Sequence, residues 1–160
     1  MVDLEASSKE SLIRQLADRL YATDAPPIPK ESFVREVLAR EDEESTCLGE
    51  GFMIPHTALT EGGAVKGVLG LSRQGLDLDA PDGRRVHAAV LLATPETDRH
   101  RHLEILAAFA SAITRNANLR EQLYSARSAA HAYDILHADD AVAFNFFLDE
   151  QMAPSRPGSA

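Results

Sequence analysis

The apolar residues of this chain change their spacing twice, and that change restricts the chain to a small set of folds. Near the start they recur every three or four positions, as on one face of a helix. Between residues 45 and 90, short apolar runs alternate with turn residues, as in strands. Helical spacing returns after Pro95. This order predicts an α/β fold, a three-layer sandwich in which a small mixed β-sheet is flanked by helices on both faces.

Two helices are predicted before the sheet. Ser7 and Glu10 have the spacing of a capping box and open the first helix. This helix must end before the Pro26-Pro27 pair, because proline cannot continue a hydrogen-bonded helix. A second helix is predicted after Pro29. It closes in the charged run 40–44, which we interpret as a solvated turn.

Five strands are predicted in the middle of the chain. The last of them is expected to lie in the centre of the sheet, because Val90-Leu91-Leu92 is apolar on both faces. The five candidates span residues 46–48, 51–54, 64–72, 76–78 and 86–93.

The rest of the chain is predicted to be helical up to a disordered tail. A long helix follows Pro95, with Thr97 or Asp98 as its cap. Three more are expected: one framed by Asn118 and Glu121, one from Ser128 to Leu136, and one opened by Asp140. The chain is divided into an N-terminal extension at 1–6, a single domain at 7–151 and a disordered tail at 152–160.

The composition argues against several classes of function. There are 16 basic and 25 acidic residues, and the resulting net charge of −9 disfavours nucleic acid as the main ligand. Cys47 is the only cysteine, so an intrachain disulfide and a cysteine-based zinc site are excluded. His100 and His102 are two residues apart and would point to different sides of a helix, so no metal site is predicted.

The sequence also gives no support for a nucleotide cofactor or for insertion into a membrane. The sequence contains neither a P-loop nor a G-x-G-x-x-G pattern, so nucleotide binding has no support. No apolar run approaches the roughly 20 residues of a membrane span, and the first residues lack the apolar core of a secretory signal. We therefore expect a cytoplasmic domain with no cofactor and no direct membrane insertion.

One segment is a candidate for chemistry. A short strand with glycines on its N-terminal side, Gly49 and Gly51, ends in Pro55-His56, where strand is expected to give way to loop. Proline fixes its own φ and pushes the residue before it towards an extended conformation, so the imidazole of His56 is presented at a strand end. From these residues alone, His56 is a candidate site, and a turn histidine without a function is the alternative.

The segment resembles the phosphorylation-site motif of type-2 enzyme IIA domains of the bacterial phosphoenolpyruvate-dependent phosphotransferase system. A second mark of that family is a His-Leu pair at the start of a long helix, after a strand that ends in proline. Here this is His102-Leu103 after Pro95. The resemblance covers roughly residues 7–138. The residues that carry the first motif are Arg40-Glu41, Thr46, Gly49, Gly51 and Pro55-His56.

The resemblance implies a role for each matching residue. His56 would be the phospho-accepting nucleophile, taking a phosphoryl group from a phosphohistidine on a small carrier protein, and histidine is largely neutral at cellular pH. Arg40 would neutralise the phosphoryl oxygens, and His102 would be a second donor to them. Thr46 and Thr57 are further candidates for substrate binding. The implied donor is a histidine phosphocarrier protein, and the implied acceptor is an enzyme IIB-type domain, a regulated transporter or a regulatory protein.

Three features of the sequence depart from the family's usual pattern. Thr57 directly follows His56, where the family usually has a small residue. Phe52 and Met53 replace a smaller pair, so we expect a bulkier pocket wall. Only six residues precede the first helix, where the family often has a longer stretch with a strand, so we expect the chain to belong to a longer polypeptide.

Two functions follow from the resemblance. The chain is either a phosphoryl-transfer domain acting in sugar uptake or in nitrogen or transport regulation, or a phosphorylation-independent regulatory binding module, as part of a larger transporter for example. No residue decides among the mannitol-type, fructose-type and nitrogen-regulatory members.

Overall fold

The computed structural model describes residues 1–138, in which helices precede and follow a five-stranded sheet. The predicted helix opened by Asp140 and the predicted tail lie outside the described residues. No helix among the described residues is long and apolar enough to cross a membrane. The elements are α1 (Lys9–Thr23), α2 (Lys30–Glu43), β1 (Cys47–Gly49), β2 (Phe52–Met53), β3 (His56–Leu59), β4 (Lys66–Leu76), β5 (Val86–Pro95), a 3-10 turn (Glu96–Asp98), α3 (Arg99–Arg115), α4 (Ala117–Tyr124) and α5 (Ala129–Leu136).

The sheet is built around β5. On one side β5 pairs with β4 in antiparallel orientation. On the other side it pairs in parallel with β2 and then with β3, and β1 pairs antiparallel with β2. The sheet is therefore mixed and β5 is its central strand, as predicted. The predicted strand 76–78 is not separate, because Leu76 is the last residue of β4 after an irregularity in its register.

Helices cover both faces of the sheet, so the three-layer sandwich is confirmed. Alternate residues of β5 point to opposite faces. Ala89, Leu91 and Ala93 belong to a core with α1 and α2. Ala88, Val90 and Leu92 belong to a second core with α3, α4 and α5.

β2 and β3 are two parts of one interrupted strand. Phe52 lies opposite Ala88 and His56 opposite Leu92, so the same parallel register continues across the break. Pro55 stands in the break, where it has no N–H to give to the sheet, but its carbonyl accepts a hydrogen bond from the Leu92 N–H at 3.0 Å. His56 is therefore the first residue of a strand, and not the start of a loop as the sequence predicted.

The helix caps agree with the predictions in part. Asp98 caps α3 by accepting from the Arg101 N–H, and Ser128 caps α5. The capping box of α1 is formed by Ser8 and Ser11, one residue later than predicted. Glu10 points outward and pairs with Arg14 at 3.0 Å.

The interpretation of residues 40–44 as a solvated turn is wrong. α2 continues through this run to Glu43, and Glu41 is buried. A buried carboxylate is tolerated where donors surround it, and Glu41 has such donors, described below.

Candidate functional site

His56 is held at the start of β3 by a bond to the backbone. Its Nδ1 lies 2.8 Å from the Ile54 carbonyl oxygen, and its side chain is buried. A carbonyl oxygen only accepts hydrogen bonds, so Nδ1 carries the proton in this contact. In the neutral ring the lone pair is then on Nε2. Pro55, between the two residues, fixes the turn that makes this contact possible.

His102 faces His56 from the first turns of α3. The two ring centroids are 5.0 Å apart and the rings are tilted by 58°. The Nδ1 atom of His102 lies 2.6 Å from the hydroxyl of Thr94, near the end of β5. The strand register explains why these side chains are close together. Thr94 and His56 lie on the same face of the sheet, the face that α3 covers.

The surroundings of both imidazoles favour the neutral ring. Burial is the main cause that lowers the pKa of His56, and the positive charge of Arg40 lowers it further, against the Ile54 carbonyl and Glu41. Burial also lowers the pKa of His102, with added effects of His56, Arg40 and Arg99. Neutral imidazole is the nucleophilic form, so His56 is suited to attack at neutral pH.

Two arginines bring positive charge to the histidine pair. Arg40 lies in the last turn of α2 and donates from Nη1 to the Glu44 carbonyl oxygen at 3.1 Å. Arg99 is the first residue of α3 and is exposed. Both line the same cleft as His56 and His102. Arg40 is predicted from the sequence, whereas Arg99 is not, because no local pattern marks it.

The cleft has the shape and the chemistry of an anion site with an apolar rim. Its volume is about 330 Å³. Guanidinium groups and imidazoles match the oxygens of a phosphoryl group, and the side chain of Leu103 at the rim is 55% exposed. The lining residues are Arg40, His56, Ala58, Pro95, Glu96, Arg99, His102, Leu103 and Leu106.

Glu41 joins three segments behind the cleft. Its carboxylate accepts from the Thr46 N–H at 3.1 Å and from the Thr46 hydroxyl. It also pairs with Lys9 of α1 at 3.0 Å. These contacts tie α1 to the end of α2 and to the chain that enters β1. The burial of Glu41 was not predicted, because the residue lies in an acidic run, although it belongs to the Arg-Glu pair of the family pattern.

The other residues singled out from the sequence lie outside the cleft lining. Thr46 donates its hydroxyl to Glu41. Thr57 is buried, and its carbonyl oxygen lies 3.5 Å from the Thr94 hydroxyl. Phe52 stacks against Phe109 with the centroids 6.3 Å apart, and Met53 lies in the core of α1 and α2. The expectation that Phe52 and Met53 thicken the pocket wall is therefore wrong.

Solved structures share this fold. The nitrogen regulatory protein IIA-Ntr from Neisseria meningitidis superimposes with a TM-score of 0.74 at 30% identity, over 84% of this chain and 91% of that one. A mannitol IIA of Escherichia coli, solved in complex with phosphorylated enzyme IIB, has a TM-score of 0.68 at 18% identity, over 84% and 92% of the two chains. The second likeness shows the fold alone. The first likeness, at 30% identity over most of both chains, places the chain in the class of phosphotransferase-system IIA domains.

The sequence comparisons give the family. The family model for the phosphoenolpyruvate-dependent sugar phosphotransferase system, EIIA 2, matches residues 1–139. A nitrogen regulatory protein of Pseudomonas aeruginosa is 33% identical over 137 residues, which are 85% of this chain and 87% of that protein. A fructose-specific EIIABC component of Bacillus subtilis is 29% identical over 87% of this chain, which corresponds to 22% of that protein. The chain belongs to the EIIA 2 family.

Proposed function

We propose that this chain is a phosphoryl-transfer domain in which His56 accepts a phosphoryl group from a phosphohistidine carrier protein and passes it to a second protein. The observation that carries the proposal is the pairing of His56, fixed through Nδ1, with His102 5.0 Å away in a cleft that Arg40 and Arg99 also line. The transfer serves sugar uptake or the regulation of nitrogen use or transport.

The step moves one phosphoryl group between two nitrogen atoms. The Nε2 lone pair of His56 forms a bond to phosphorus while the P–N bond of the donor's phosphohistidine breaks, and that electron pair returns to the donor nitrogen. The Nδ1 proton of His56 stays on its ring, bonded to the Ile54 carbonyl. The step balances without a co-reactant, and its reverse at an acceptor nucleophile completes the transfer.

The neighbouring residues stabilise charge in this step. Such transfer depends on positioning and electrostatic stabilisation more than on covalent assistance. Arg40 supplies a guanidinium to the phosphoryl oxygens, and His102 donates a hydrogen bond from the opposite wall. Arg99 adds a second positive charge at the mouth. His102 also lies in the first turns of α3, whose N-terminal dipole favours anions.

The rim of the cleft suits a partner protein. Leu103 is 55% exposed and lies beside Leu106 and Pro95 around the charged centre. An apolar contact around a reactive group positions it while keeping water out. We infer that the donor carrier and an acceptor of the enzyme IIB type, or a regulated transporter or regulatory protein, dock on this rim in turn.

Intact-mass measurement and site mapping test this function. The chain is incubated with phosphoenolpyruvate, enzyme I and the histidine phosphocarrier. We expect one added acid-labile phosphoryl group on His56, and none in the His56→Ala variant. His100→Gln is the matched control. His100 lies in the first turn of α3, close to His102 in sequence, but its side chain is 87% exposed and pairs with Glu104. It should be phosphorylated like the wild type.

The alternative function is a regulatory module that binds its partner without phosphorylation. It predicts no added mass on a well-folded chain when the carrier itself is phosphorylated. That result, or a phosphoryl group on another residue, would overturn the proposal.

A further inference from the structure

We propose that Thr94 is a positioning residue that fixes His102 as a hydrogen-bond donor towards the phosphoryl group. This inference rests on the proposed function, because it assigns a role within the same transfer. The sequence places Thr94 in the strand end Ala93-Thr94-Pro95 of the second family mark but gives it no role. The residue is buried, with 1% of it exposed.

The position of Thr94 follows from the sheet. Residues of β5 that alternate with Thr94, such as Leu92, face α3, so Thr94 faces α3 as well. Its hydroxyl meets the Nδ1 of His102 at 2.6 Å. Among the described residues, the hydroxyl has one other acceptor nearby, the Thr57 carbonyl oxygen at 3.5 Å.

The two distances favour one direction for the hydroxyl proton. Hydrogen bonds from hydroxyl groups span about 2.5–3.0 Å, so the contact with His102 is within range and the contact with the Thr57 carbonyl is beyond it. In the proposed arrangement, Thr94 directs its proton at Nδ1 of His102, the nearer of the two acceptors. A neutral imidazole that accepts at Nδ1 carries its own proton on Nε2.

This tautomer is the one that the transfer needs. With the proton on Nε2, His102 can donate to a phosphoryl oxygen bound at His56 without carrying a full charge beforehand. The opposite tautomer would direct a lone pair at those oxygens and repel them. The Nε2 atoms of the two rings thus differ in function. His56 presents a lone pair, because its Nδ1 donates to the Ile54 carbonyl, and His102 presents an N–H, because its Nδ1 accepts from the Thr94 hydroxyl.

Two variants separate the hydroxyl from the shape of the side chain. Thr94→Val keeps the branched side chain but removes the hydroxyl, and Thr94→Ser keeps the hydroxyl. Thr114→Val is the matched control, because it removes a threonine hydroxyl from α3 itself about 18 Å along the helix from His102, at about 1.5 Å per residue.

The first measurement is independent of phosphorylation. ¹⁵N NMR of the imidazole nitrogens in the unphosphorylated chain should show His102 with a proton on Nε2 in the wild type, in Thr94→Ser and in Thr114→Val. In Thr94→Val the resonances should become those of mixed tautomers or ring orientations. A wild-type ring with its proton on Nδ1, or an unchanged ring in Thr94→Val, would overturn the proposal.

The second measurement is the rate of phosphorylation by the phosphocarrier. We expect about a three- to tenfold loss in Thr94→Val, the scale of one hydrogen bond, with recovery in Thr94→Ser and no loss in Thr114→Val. Equal losses in the valine and serine variants would mean that packing matters instead of the hydroxyl. If the wild type takes no phosphoryl group, the proposed function fails, while the NMR result still decides whether Thr94 sets the tautomer.

Discussion

His56 attacks through an uncharged ring in the proposed reaction, and single residues around it set that state. The Ile54 carbonyl holds the proton on Nδ1. Burial opposes protonation of the ring, and so does the charge of Arg40. In the proposed reaction, Arg40 thus has two effects that can be separated: it disfavours protonation of His56 before the step, and it stabilises the phosphoryl oxygens during the step.

Removing the charge of Arg40 should change the titration of both histidines. In the wild type we expect the pKa values of His56 and His102 to lie below the ordinary histidine value of 6.5, so the neutral form of each ring still predominates when the pH falls to that value. In Arg40→Gln their pKa values should rise, because one like charge is removed. As the pH is lowered, the protonated and unreactive form of His56 then appears at a higher pH than in the wild type. NMR titration of the ring protons measures both shifts.

Arg35→Gln is the control for this titration. Arg35 lies on α2 like Arg40 but is exposed and is not among the residues that line the cleft. Its replacement should leave both histidine titrations unchanged. Unchanged pKa values in Arg40→Gln as well would contradict the electrostatic role of Arg40. Phosphorylation should also be slower in Arg40→Gln at a pH where His56 is fully neutral, which separates the second effect from the first.

At the scale of elements, the site depends on how α2 ends and how the strand with His56 is broken. Glu41 anchors the end of α2 to α1 and to the chain entering β1. Ile54 donates its N–H to the Thr46 carbonyl at 3.0 Å, so the same segment supports the break at Pro55. The buried carboxylate therefore connects the helix that carries Arg40 with the strand that carries His56.

Replacing Glu41 by glutamine should destabilise the fold. The variant keeps the shape of the side chain but loses the charge and one acceptor oxygen, so the donors of Lys9 and Thr46 are left poorly satisfied. We expect a loss of about 1–3 kcal/mol in the free energy of unfolding, measured by urea denaturation. Glu43→Gln, two residues further on the same helix but exposed, should change stability by less than about 0.5 kcal/mol.

Equal effects of the two substitutions would contradict the anchoring role. Slower phosphorylation of the folded Glu41→Gln protein is also expected, since Arg40 is the residue next to Glu41. That rate is measured well below the denaturation midpoint, where the folded fraction of both variants is close to one.

Glu41 and β3 also show how far the sequence could predict the molecule. The periodicity of the apolar residues predicted the layers and the central position of β5, because burial on both faces leaves a continuous apolar run. The periodicity could not distinguish the buried Glu41 from its three exposed acidic neighbours. The burial of Glu41 depends on two donors that the pattern does not reveal: Lys9, which is distant in sequence, and Thr46, which lies beyond the end of α2. β3 was missed because its pairing with β5 is nonlocal.

The candidate site was predictable to a similar extent. His56, His102 and Arg40 were proposed from the family pattern, and all three line one cleft. Thr94 and Arg99 were not found, because each reaches the site only through the packing of α3 on the sheet. Their role cannot be read from spacing, since no local repeat connects them with His56.

For the whole molecule, the central strand makes two cores depend on each other. Leu91 packs with α1 and α2, while Leu92, its neighbour, packs with α3, α4 and α5. If β5 separates from the helices of one core, its contacts in the other core are therefore lost as well. The site spans both layers, with Arg40 on α2 and His102 on α3, so its geometry requires both cores to be formed.

We therefore expect the two cores to unfold in one transition. The chain has no tryptophan, so Tyr21→Trp and Phe109→Trp each place a single reporter, in the α1–α2 core and in the α3–α5 core. Within each variant, the urea midpoint from tryptophan fluorescence should coincide with the midpoint from far-ultraviolet circular dichroism. Comparing two probes of one variant cancels any change in stability caused by the substitution itself. A fluorescence midpoint that precedes the loss of helix in either variant would mean that one layer separates from β5 first, and that the cleft between α2 and α3 can open without global unfolding.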